Sequence, residues 1–153
     1  MSYLIAKWLH ILSSTVLFGT GIGSAFYMFF ATLKRDPRVV ASVVSLVVWA
    51  DAIFTTSTIV FQPLSGWTML HLAGIPLSTR WVQWSIGLYV LATACWLPVV
   101  WLQIKLRDIA RQAAAGTPLP RRYWQLFAVW VALGVPALIA FLVIFWLMVA
   151  KPA

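Results

Sequence analysis

The sequence predicts an all-α fold, a four-helix transmembrane bundle with its N- and C-termini on the periplasmic side. Three features point to it. Four long apolar stretches occupy nearly the whole chain, none of them alternates apolar and polar residues as a membrane barrel strand does, and the basic residues gather in two of the three connections. Of 153 residues, 63% are apolar and 9% charged, which exceeds what a water-soluble domain of this size carries. A helix crosses the hydrocarbon with about 20 apolar residues, and in lipid a run this apolar must satisfy its own backbone as a helix.

The expected spans cover about residues 3–33, 39–72, 81–104 and 123–150, and together they make residues 1–153 a single membrane domain. The first is read as a span and not a cleaved signal, because its apolar region is too long and Lys7 is a weak basic lead. The first connection is short, so spans one and two form an antiparallel hairpin, with Pro37 at the start of the second helix. Gly74 and Pro76 end that helix. Gln103–Ala115 reads as a helical extension of span three up to Gly116, and Pro118 and Pro120 then break it. Pro63, Pro98 and Pro136 fall inside spans two, three and four, where each removes a helical hydrogen bond and is expected to kink its helix. Tyr123, Trp124, Trp81 and Trp146 stand where an interfacial aromatic belt belongs.

Charge placement orients the bundle. Lys34, Arg35 and Arg38 lie in or beside the first connection, and Lys105, Arg107, Arg111, Arg121 and Arg122 in or beside the third; only Lys7, Arg80 and Lys151 lie at the other ends. This bias places the first and third connections in the cytoplasm and the protein in the bacterial inner membrane. A net charge of +8 distributed in this way fits contact with a bilayer carrying anionic lipid and argues against a nucleic-acid partner. Cys95 is the only cysteine, so no intramolecular disulfide exists.

Two polar stripes carry the functional reading. At about 100° per residue, His10, Ser13, Ser14, Leu17, Gly21, Ser24, Ala25 and Met28 share one face of span one. Asp51, Thr55, Thr58, Gln62, Ser65 and Met69 share a face of span two. Gly19 and Gly23 lie opposite the first stripe as a close-packing pair. A histidine and an acid inside spans are costly and mark working sites by default; Asp51 must face the bundle and either pair or stay protonated. The stripes are expected to meet in a polar seam, with His10 near its outer end and Asp51 deeper. Hydrogen bonds that merely tie the helices together are the plainer reading, but small residues on an inward face leave volume, which such bonds do not need.

A haem b would use that volume. Histidine ligates haem between membrane helices, and His10 is the first candidate ligand. His71 lies at similar depth as a candidate second metal ligand, although on an unbroken helix it points about 160° from the Asp51 stripe. Met69, on the stripe, is the alternative. Ser14 and Gly21 line the same face of span one, Lys7 and Arg80 offer cations for propionates, and Asp51 and Gln62 are the candidate catalytic pair, supporting the site or a proton path. Copper held by His10, Met69 and His71 is a second possibility. No metalloprotease, hydrolase-elbow, phosphate-loop or dinucleotide motif is present.

Lys7-x-x-His10-Ile11, followed by Phe18-Gly19 and the small-residue run, resembles the first helix of the haem-binding bacterial membrane protoporphyrinogen IX oxidase. That resemblance covers one helix and implies a haem b role for His10. It does not extend to the oxidase activity, which needs a basic residue in span three; none occurs between Trp81 and Ile104. A longer pattern comprises His10-x-x-Ser13-Ser14, Phe18-Gly19-Thr20-Gly21, Trp49-Ala50-Asp51, Gln62-Pro63-x-x-Gly66 and Trp96-Leu97-Pro98. It is similar to a bacterial family of predicted four-helix integral membrane proteins and covers nearly the whole chain. The leading expectation is a membrane b-type haem protein with an electron-transfer or redox role. The alternatives are a noncatalytic accessory subunit of a respiratory or other membrane complex, a homo-oligomer among its forms, and copper or metal transport.

Overall fold

The computed structural model describes residues 1–152. Helix α1 spans Ser2–Leu33. The second crossing is continuous but has three parts: α2 over Pro37–Ala50, a π-helical turn over Asp51–Thr55, and α3 over Thr56–Leu72. Helices α4 (Arg80–Ala113) and α5 (Arg121–Ala150) complete the molecule. All four crossings are long and apolar enough to span a membrane, and no strand occurs among the described residues. The extension of span three is present, since α4 runs unbroken past Ile104 to Ala113.

Local chemistry sets the boundaries. Asp36 caps α2 by accepting from the backbone N–H of Arg38 at 2.9 Å, with Pro37 in the first helical turn; its side chain satisfies donors that the helix cannot. Arg35 has φ of 58°, so the tight turn between α1 and α2 is made by a left-handed non-glycine residue. Gly74 takes φ of 66° just beyond α3, the left-handed position that favours glycine after a helix.

The bundle is two antiparallel hairpins, α1 against the second crossing and α4 against α5, joined where α2 packs on α4. The close-packed core lies toward the end that carries the basic connections. There Met28, Val40, Val44, Leu102, Leu106, Tyr123, Phe127 and Trp130 cluster. Phe127 stacks on Tyr123 and on Trp130, with ring centroids 6.4 and 5.6 Å apart. Thr32 and Tyr123 share a buried hydrogen bond of 2.9 Å between α1 and α5. Toward the opposite end α3 stays on α1 and no longer packs closely on α4.

Candidate functional site

The two stripes do meet, and His10 is where they join. Its Nδ1 lies 2.7 Å from Ser65 Oγ on α3, and its backbone carbonyl accepts from Gln62 Nε2 at 3.2 Å. Gly66 packs beside the ring, where an added Cβ would stand in ordinary contact at 3.5 Å from His10 Cε1. The direction of the His10–Ser65 bond follows from counting protons. A serine hydroxyl has one, and Ser65 gives it to the Phe61 carbonyl at 2.9 Å, with Gln62 O at 3.2 Å sharing it. With the Ser65 proton on the Phe61 carbonyl, Nδ1–H is the donor to Ser65. Nε2 then carries the lone pair, has no hydrogen-bond partner and is not sealed from its surroundings. An imidazole held through one nitrogen, with the other bare, is the arrangement that orients a metal ligand.

The remaining seam hydroxyls behave differently. Thr58 donates to the Phe54 carbonyl at 2.6 Å and Ser14 to the Ile11 carbonyl at 2.8 Å. These two satisfy themselves on their own helices and the buried Ser13 hydroxyl has no partner, so hydroxyl bonding between helices explains little of the stripe.

Asp51 opens the π turn and is 4% exposed. Thr55 Oγ1 donates to its Oδ1 at 2.7 Å, and the side chain of Gln103 on α4 is the other group beside the carboxyl. No basic side chain pairs with it; the one ion pair among the described residues joins Arg107 and Asp108. Fourteen residues of helix separate Asp51 from Ser65, about 21 Å at 1.5 Å per residue. His10 and Asp51 are thus separate centres on one seam.

The volume expected from the small residues exists, but at Asp51 and not at His10. A chamber of about 410 Å³ is walled by all four crossings, with Leu17, Gly21, Ser24 and Ala25 from α1, Asp51 and Thr55 from the π turn, Trp96 and Gln103 from α4, and Trp130 and Gly134 from α5. Gly21 lies about three turns from His10 along α1. A smaller cavity of about 370 Å³ between α4 and α5 is lined by Arg80, Trp81, Trp84 and Leu147 among others. His10 lines neither. Lys7 and His71 are exposed, and Met69 is half-buried one turn beyond Ser65 on the same face of α3. No cluster of three or more His, Cys, Asp or Glu side chains suited to a metal occurs among the described residues.

Sequence reasoning missed Gln103 and Trp130 as chamber residues. The signal for Gln103 was available, because it falls on the face of α4 that also buries Ser85, Ala92, Val99, Leu106 and Ala110.

A family model described as a predicted integral membrane protein (DUF2269) matches residues 4–152. No curated protein and no solved structure matches the chain.

Proposed function

The chain belongs to this family of predicted integral membrane proteins, and from that premise we propose that it is a membrane haem b protein in which His10 would be a ligand to the iron. The observation that carries the reading is the hydrogen bond of 2.7 Å between Nδ1 and Ser65, which engages one ring nitrogen and leaves Nε2 without a partner. Haem b, when bound, supplies one-electron exchange between ferric and ferrous iron, and the role that follows is electron transfer within the bilayer.

The residues of this chain have distinct parts in that role. Ser65 holds the plane of the imidazole through Nδ1. Gln62 ties the His10 backbone to α3 at 3.2 Å, so the ring cannot drift along the seam. Gly66 packs beside the ring edge. His10 stands in the half of the bundle where α3 no longer packs closely on α4, and its Nε2 is not among the sealed atoms. Met69, half-buried beside the seam, would be a better candidate for a second ligand than the exposed His71. Lys7 and the exposed Arg80 are the cations available to propionates.

Haem content of the purified protein tests this. About one haem per chain is expected in the native protein and in His71→Ala, with loss in His10→Ala. A His10→Ala protein that keeps its haem would overturn the assignment.

A further inference from the structure

The geometry points to a second site: we propose that the chamber beside Asp51 binds a lipophilic organic cation that enters sideways from the bilayer. This site shares no residue with His10 and stands whether or not the haem reading does.

Charge complementarity favours a cation. Asp51 is the only ionisable residue lining the chamber, and it has no basic partner among the described residues. A buried carboxylate without a counter-charge is costly, and a cationic guest supplies the charge that the fold omits. Its surroundings are also incomplete. Gln103 is 3% exposed and its Oε1 has no hydrogen-bond partner, leaving an acceptor in the wall next to the acid. Acceptors and an acid in one wall select a guest with positive charge.

The other walls are rich in aromatic rings. Rings from Phe18, Phe29, Trp96, Trp130 and Phe141 line the chamber, and aromatic faces attract cations, more strongly when desolvated. A volume of about 410 Å³ is in the range of small-molecule sites, roughly 300–1,000 Å³. A Cβ added at Gly21 or at Gly134 would meet nothing within 4 Å, so these two glycines face open space.

Access is lateral. Between α1 and α5, Phe18 meets Phe145 at 5.0 Å and Phe29 meets Phe127 at 5.7 Å. The chamber lies between these two ring pairs. On its rim, Phe26 of α1 is 56% exposed and Val135 of α5 51% exposed, and on a membrane helix such surface faces lipid. The opening is therefore a side window framed by two aromatic contacts, and an amphiphile already in the bilayer can reach the acid without crossing water.

Equilibrium binding of radiolabelled methyltriphenylphosphonium to the full chain in nanodiscs, with empty nanodiscs subtracted, tests the proposal. This probe keeps its charge at every pH. Saturable binding near one per chain is expected, retained in Asp51→Glu and weakened on the order of tenfold or more in Asp51→Asn, the equivalent of about 1.4 kcal/mol. Gly134→Phe, which fills the chamber and leaves the acid in place, is expected to abolish binding, and it keeps the test decisive if Asp51→Asn does not fold. Neutral triphenylphosphine is expected to compete poorly. Absence of saturable binding, native affinity in Asp51→Asn or Gly134→Phe, or equal competition by triphenylphosphine would each overturn the proposal. Haem content reports on His10 alone, so failure here is distinguishable from failure of the haem reading.

Discussion

The hydroxyl of Tyr89 on α4 donates to the backbone carbonyl of Ile59, the carbonyl left without a helical partner because Pro63, four residues on, has no N–H. The helix passes through Pro63 without a break in its α assignment. A side chain of the second hairpin thus repairs a defect in the first, in a half of the bundle where the two hairpins otherwise pack loosely.

Tyr89→Phe is therefore expected to destabilise the protein by about 1–3 kcal/mol, the cost of an unmet buried acceptor. In a Pro63→Ala background the restored N–H takes the carbonyl, and the same substitution is expected to cost less than about 1 kcal/mol. Reversible unfolding in mixed micelles across this double-mutant cycle measures the difference. Equal costs in both backgrounds would show that the tyrosine does not serve Pro63.

Gly66 is expected to tolerate alanine and reject leucine. A Cβ would touch His10 Cε1 at 3.5 Å, an ordinary contact, and alanine also favours the helix by about 0.5–1 kcal/mol. Leucine must push the imidazole away from Ser65, at about 1–3 kcal/mol of overpacking. Stability and haem content are expected near native values in Gly66→Ala and lowered together in Gly66→Leu.

Tyr123→Phe removes the hydroxyl that meets Thr32 at 2.9 Å between α1 and α5. A loss of about 1 kcal/mol is expected, measured by the same unfolding assay. Asp36→Ala, which removes the α2 cap, is expected to cost about as much.

Orientation rests on eight basic residues in or beside the first and third connections against three elsewhere. In a Cys95→Ala background, a cysteine at Ser78 is expected to react with a membrane-impermeant maleimide in intact cells, and one at Thr117 only after lysis. The reverse pattern would invert the bundle and place His10 near the cytoplasm.

Much of this architecture is legible in the sequence because lipid leaves few options. Apolar length gives the spans, Asp36-Pro37 and Gly74 mark helix ends, and polar residues at helical spacing stand out in an apolar run. The phase argument that set His71 apart from the stripe agrees with its exposure. What escaped depends on partners distant in the chain. The π turn at Asp51–Thr55 carries no local signal in Asp-Ala-Ile-Phe-Thr, yet it presents both Asp51 and Thr55 to the chamber. Small residues on α1 announced a volume, but its position next to Asp51 was decided by Gln103, Trp130 and Gly134 on the other hairpin. Nor could the stripe's hydroxyls be sorted in advance: Ser14, the serine expected beside the site, turns to its own helix, while Ser65, not among the candidates, meets His10.

The reduced-minus-oxidised absorption spectrum of the purified native protein, set beside that of His10→Ala, tests the account most directly. A Soret band and sharp b-type bands in the native protein, absent from a folded His10→Ala variant, are the predicted result. A colourless native protein after expression with ample haem, or identical spectra from the two, would contradict it.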